Sequence, residues 1–455
     1  MRTTTQFLTG VMVTMSLIFL LNTSCRKKED SNYTPTGKTV YTIAVISDLH
    51  YLDPSLWSNT STSGIEFRIL DQRMPEESDV IMREVIQELI NAKPKPDLVL
   101  IPGDLSFDGE MVSHESVKGF LNELTAAGIK VRVINGNHDI NFTMASSFLG
   151  KDTVHVPHID PAWFLSNYTN FGYSDALSTD PASLSYLSEP LPGLWLLSID
   201  ACIYNKDHKD SAYSGGAIRQ ATMTWALARL AEAKAKGKTV FGMMHHALLN
   251  HYPDQDLLYP DNVVPRSTTV SDSLMNGGLR VMFTGHGHST DIVKKTAGTK
   301  FLYDIETSST IAYPCTYRMI TYIKDSALII STVPITHIDN FPTPSGQTFH
   351  QYAQQRIKNT VIIDNAFFYT QPPYQYKPDT AVRLARRMAC ALMGQMAGDE
   401  QITSNSELDS IQATINSLGA SFIPISYDWY NLWTDLEPAD NSLIINLKTG
   451  DCSKK

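Results

Sequence analysis

Six short apolar runs, rich in β-branched residues, punctuate the first two thirds of the chain: residues 41–47, 97–102, 130–135, 194–199, 239–244 and 279–284. Runs of this length and type predict buried strands. Between them lie stretches with helical spacing, over 76–92, 111–127 and 217–236; in the first, Val80, Ile81, Val85, Ile86, Leu89 and Ile90 recur three to four residues apart. Strands alternating with helices predict α/β layering. After Gly285 the pattern turns to closely spaced strands over 301–305, 317–323 and 327–333. From residue 336 that rhythm fades and helices are expected over 381–396 and 406–418, so 336–455 reads as a small, mostly helical C-terminal module following a main domain over 41–335.

The polar residues that break the apolar runs are not ordinary turn formers. Asp48 and His50 follow the first strand, Gly103-Asp104 the second, and Gly136-Asn137-His138-Asp139 the third. His245-His246 follow the fifth run, and Gly285-His286-Gly287-His288 the sixth. In open α/β sheets ligands bind at the carboxyl ends of strands, so these groups can converge. A D-x-H or H-x-H pair alone says little, but five such clusters, each placed after an apolar strand, say much more.

Taken in order, the five clusters resemble the calcineurin-like metallophosphoesterase superfamily, whose pattern is D-x-H, G-D, G-N-H-[DE], H and G-H-x-H. The resemblance covers roughly residues 41–335. It implies a four-layer α/β/β/α sandwich and a site for two divalent or mixed-valence metal ions. Carried over motif by motif, Asp48, His50 and His288 would hold one ion and Asn137, His245 and His286 the other, with Asp104 bridging. Mixed nitrogen and oxygen donors suit Mn, Fe or Zn, and a metal pair can drive in-line displacement at phosphorus. His138 is expected to donate a hydrogen bond to the phosphoryl oxygen or the leaving group. Asp139 either orients His138 or serves the turn.

Two departures from the pattern bear on substrate. The fourth motif is often His-x-Pro, whereas here His245-His246 precedes Ala247, and position favours His245 over His246 as the ligand. Purple acid phosphatases carry a tyrosine three residues after the G-D aspartate, where this chain has Phe107. The run from Gly103 to Glu110 instead resembles the bacterial phosphodiesterase-like branch. Over 142–192, Trp163, Phe164, Tyr168, Phe171, Tyr173 and Tyr186 form either a rim for a nucleobase or a satellite hydrophobic cluster, and His251, Tyr252 and Tyr259 lie close enough in sequence to shape the pocket.

The N-terminus adds an address. Residues 7–21 form an apolar run shorter than the ~20 residues of a membrane span, preceded by Arg2 and followed by Asn22-Thr23-Ser24-Cys25. This reads as a secretory signal over 1–24, the alternative being a retained anchor. The segment resembles a bacterial lipobox, which implies lipidation at Cys25, a polar tether over 25–40 and anchoring at the outer membrane or cell surface. With 47 acidic against 37 basic residues, a net charge of −10 argues against a stable nucleic-acid partner held by a broad basic surface. The remaining cysteines, Cys202, Cys315, Cys390 and Cys452, are widely spaced and contain no C-x-x-C pair, which disfavours a zinc ribbon.

The expected function is hydrolysis of small phosphate esters, diesters such as cyclic nucleotides ahead of monoesters. A phosphomonoesterase, a protein phosphatase and a non-catalytic surface-binding lipoprotein are the alternatives.

Overall fold

The structure is a computed structural model and describes residues 38–204, 213–344, 346–400 and 430–455. The expectations for the signal segment, Cys25, most of the tether and a helix over 406–418 lie outside the described residues. Among the described residues no helix is long and apolar enough to cross a membrane.

Alternation within each strand builds the layers. In the strand Val40–Val45, Ile43 and Val45 enter a core shared with Leu98 and Leu100 of the neighbouring strand and with Leu196, Phe241, Phe283 and Ile305 of a second sheet. Ala44, Val99 and Ile101 face the other way, as the two-residue period of a strand requires. They pack beneath Ile81, Val85 and Leu89 of the helix Ser78–Asn91 and Val117, Leu121 and Leu124 of the helix Met111–Ala126. Beyond the second sheet, Leu197, Val240 and Met282 meet Ala226 and Leu230 of the helix Gln220–Ala235 and Leu274 and Met275 of the helix Ser267–Gly277. The result is the expected helix–sheet–sheet–helix sandwich. Strands covered on both faces read as unbroken apolar runs, which is why the six runs were legible.

The first sheet runs, in spatial order, Cys452–Lys454, Ser442–Asn446, Ala327–Pro334, Thr316–Ile323, Val40–Val45, Leu98–Ile101 and Lys130–Val133. Its last three strands are parallel. In the second sheet Leu194–Ile199, Thr239–Met244, Val281–Thr284 and Lys300–Glu306 are parallel, and antiparallel strands, Asp291–Ala297 among them, complete its edges.

The C-terminal region is mostly helical among the described residues, as expected, and adds two strands to the first sheet. Ser442–Asn446 pairs antiparallel with Ala327–Pro334, and Cys452–Lys454 extends that edge. A helix that is not among those expected also spans Phe349–Thr370. Its apolar residues Phe349, Ala353, Ile357 and Val361 enter the same core as the helix Ser78–Asn91, and Met393 and Met396 of the helix Pro378–Ala397 join them. The described residues from Thr39 onward cluster as one compact unit. The helix Phe349–Thr370 opens on a reciprocal capping box: Thr348 accepts the Gln351 N–H at 3.2 Å, and Gln351 accepts the Thr348 N–H at 2.9 Å. Thr348→Ala should therefore lower unfolding stability by about 1 kcal/mol, measured by urea denaturation, and leave hydrolysis unchanged. No disulfide joins the four described cysteines.

Candidate metal centre

All seven expected ligands sit just past the carboxyl ends of parallel strands, five of them on residues forced into unusual backbone conformations. Asp48, His50, Asp104, His286 and His288 have φ of 48°, 37°, 47°, 73° and 55°. Side chains other than glycine avoid this left-handed region, and holding one there costs about 1–3 kcal/mol. Backbone hydrogen bonds fix the turns: the Asp48 N–H donates to the Gly103 carbonyl at 3.3 Å and the His50 N–H to the Asp104 carbonyl at 3.0 Å. The His286 N–H donates to Asp48 Oδ1 at 3.0 Å and the His138 N–H to Asp104 Oδ1 at 2.9 Å. Close approach explains two motif glycines, because a Cβ at Gly136 would collide with the Asp104 carboxylate and one at Gly285 with that of Asp48.

The side chains meet as two sets. Asp48, His50 and His288 bring one donor atom each within 4.8 Å of one another, and Asp104, His245 and His286 do the same. His50 Nε2 lies 3.0 Å from His288 Nε2, which is 3.4 Å from Asp48 Oδ1. In the other set His245 Nε2 lies 2.9 Å from Asn137 Oδ1 and 3.2 Å from His286 Nδ1. Asp104 Oδ2 stands between them, 3.4 Å from His50 Nε2 and 3.3 Å from His245 Nε2. His245 donates its Nδ1–H to the Pro102 carbonyl at 2.9 Å, the contact that frees the other nitrogen of a metal-binding imidazole. Four imidazoles, two carboxylates and an amide oxygen, with ring nitrogens facing one another, fit two transition-metal ions. Burial alone would raise the Asp104 carboxyl, but His245, then His138, hold it well below the usual range. Burial, then Arg73, depresses His50, keeping its ring neutral.

His138 stands beside this centre with its side chain 23% exposed and its ring stacked on Phe142. Its Nδ1–H donates to Asp108 Oδ1 at 2.7 Å. Asp139 does not orient it. That carboxylate is buried and accepts the N–H groups of Leu105 at 2.9 Å, Ser106 at 3.0 Å and Gly136 at 2.7 Å, so it splices the second motif to the third. Of the adjacent pair, His245 faces the ligand set, while His246 turns to the Ser214 carbonyl at 2.8 Å, and burial followed by the neighbouring His245 lowers it to about 3.

The motifs did not single out Arg73 or assign a role to Asp108. Asp108 lies four residues past Asp104 in the same loop, a proximity that could have found it. Arg73 carries no local signal. It follows the helix Thr62–Leu70, lies over the Phe107 ring at 4.3 Å, and is gripped at Nε and Nη2 by Asp71 at 2.9 and 2.8 Å. Its Nη1 points at His50 Nδ1, 2.8 Å away. The nucleobase rim is not formed by the aromatic stretch: Phe164, Tyr168 and Phe171 are buried in the core under the first sheet, with Trp163 and Tyr173 packed on it. His251 is likewise buried against Asp291, Asp304 and Glu306, not on a pocket wall.

Comparison with solved structures finds a dimetal phosphatase from Danio rerio at 15% identity and a TM-score of 0.46, covering 65% of this chain and 97% of that one. A purple acid phosphatase from yellow lupin (Lupinus luteus) seeds aligns at 11% identity and a TM-score of 0.42, covering 66% of this chain and 52% of that one. No curated protein matches. The family model for calcineurin-like phosphoesterases matches residues 41–290, a span that contains every candidate ligand described above. That span exceeds half of the chain, and the protein belongs to the calcineurin-like phosphoesterase family.

Proposed function

We propose that this protein is an exported, lipid-anchored phosphoesterase that hydrolyses diesters such as cyclic nucleotides in preference to monoesters. The observation that carries the catalytic part is Asp104 standing between two histidine sets with the His138–Asp108 pair alongside. A bound metal pair would supply an activated water and Lewis-acid stabilisation of charge growing at phosphorus. The chain's own residues do the rest. His138, held at Nδ1 by Asp108, presents Nε2 as a donor to the leaving oxygen. The diester preference is supported by Phe107, which offers no phenolic oxygen, and by the run from Gly103 to Glu110.

Arg73 is a substrate-binding group in this reading. Arg73 Nη1, which can only donate, lies 2.8 Å from His50 Nδ1, closer than the Phe107 carbonyl at 3.4 Å. Asp71 holds the guanidinium there, and its positive charge is set to attract an anionic substrate to the centre. A charge-assisted hydrogen bond is worth ~1.5–3 kcal/mol, so Arg73→Gln should lower kcat/KM by roughly 10–100-fold, mostly through KM.

Substrate class is tested by comparing bis(p-nitrophenyl) phosphate with p-nitrophenyl phosphate on metal-analysed protein. A higher kcat/KM for the diester is expected; a clear monoester preference overturns the ordering. Lipid anchoring rests on the residues around Cys25, and radiolabelled palmitate should label the wild type and not Cys25→Ser.

A further inference from the structure

Three carboxylates outside the metal centre are buried together. Asp291 opens the strand Asp291–Ala297, Glu400 follows the helix Pro378–Ala397, and Asp440 precedes the strand Ser442–Asn446. Their exposures are 0%, 2% and 4%, and one oxygen from each lies within 4.8 Å of the others. Like charges this close and this dry are costly unless a cation or shared protons join them.

The neighbouring cations leave that demand unmet. Arg318 is buried, but it donates to the main-chain carbonyls of Asp291, Glu306 and Asp440 and to the Thr332 hydroxyl, not to the carboxylates. His251 donates Nδ1–H to Asp291 Oδ1 at 2.6 Å, and the Ile292 N–H donates to Asp440 Oδ1 at 2.9 Å. Asp291 Oδ2 and both Glu400 oxygens remain buried with no hydrogen-bond partner among the described residues.

We propose that Asp291, Glu400 and Asp440 form a third cation site, for Ca²⁺, that ties the C-terminal segment to the strand following the His286 and His288 motif. Oxygen donors alone select a hard cation, and the number of protein carboxylates selects between the two common ones. Calcium accepts a cage of about six to eight oxygens drawn largely from the protein, whereas magnesium keeps several waters and usually meets only one or two carboxylates. Three buried carboxylates with one oxygen each inside 4.8 Å of the others match calcium better. The site joins pieces of chain far apart in sequence, so it would act as a clasp, as a metal does when only the folded chain assembles its ligands. It does not depend on the phosphodiesterase reading.

The test is equilibrium dialysis of full-length protein against ⁴⁵Ca²⁺ with Mn²⁺ saturating the catalytic centre. The wild type should retain one calcium per chain. Glu400→Gln and Asp440→Asn should bind at least ~10-fold more weakly, the lower end of what losing even an outer-sphere partner does to a metal site, and keep their Mn²⁺-dependent hydrolysis. Calcium should also raise the thermal midpoint of the wild type alone. No calcium on the wild type means that the carboxyls share protons instead, and overturns the site; this arm decides by itself if a variant fails to fold. Equal binding by wild type and variants puts the ion elsewhere and overturns it too.

Discussion

Asp104→Asn should lower kcat/KM by on the order of 10³-fold and leave the fold intact. The side chain is buried, and its Oδ2 lies within 3.4 Å of imidazoles from both halves of the centre. An amide keeps the size and the Oδ1 acceptor for the His138 N–H, but it loses the charge that both halves share. Lewis-acid stabilisation at phosphorus is worth several kcal/mol, and at ~1.4 kcal/mol per tenfold in rate losing most of it gives the stated factor. Steady-state kinetics with elemental analysis on the same sample checks this. Bound metal should fall together with activity, while the far-ultraviolet circular dichroism stays that of wild type. Full activity in the variant would exclude Asp104 as the shared ligand.

His138→Gln should lower kcat by about 10²–10⁴, the usual worth of a positioned acid or base, with metal content unchanged. That split separates it from the ligand variants. The loss should be smaller with a p-nitrophenolate leaving group, which needs little protonation, than with an alkoxide. The pH profile carries the sign. Burial lowers the affinity of His138 for its proton, but Asp104 and Asp108 outweigh it and raise the group above an ordinary histidine. A protonated His138 is the active form as donor, so activity should decline as pH rises through its raised value. Asp108→Asn removes one of the two charges holding the proton. The alkaline limb should move toward lower pH, and a limb that stays in place would show that His138 is not the group titrating.

Much of the centre was legible because its ligands are local to strand ends. An apolar strand followed at once by Asp48 and His50, or by His286 and His288, carries position and chemistry in the same few residues. What was not legible depends on contacts between remote segments. Arg73 reaches His50 from a loop with no motif, and whether Asp108 or Asp139 would meet His138 was decided by the turn that aims Asp139 at the N–H groups of Leu105, Ser106 and Gly136. The aromatic stretch failed as a rim for a related reason: composition shows that rings are present but not which side of the sheet they cover, and Phe164, Tyr168 and Phe171 cover the core. The helix Phe349–Thr370 did have a signal, the Thr348–Gln351 box before an i, i+4 apolar row. The closing strand Ser442–Asn446 is short and finds its register only against Ala327–Pro334.

The most direct measurement is an anomalous difference map at the manganese edge, from crystals of the full chain grown with Mn²⁺. Two peaks flanking Asp104 are expected, one bounded by Asp48, His50 and His288 and the other by Asn137, His245 and His286. A map with no peak between these side chains, or with a single ion that Asp104 does not touch, would contradict the account.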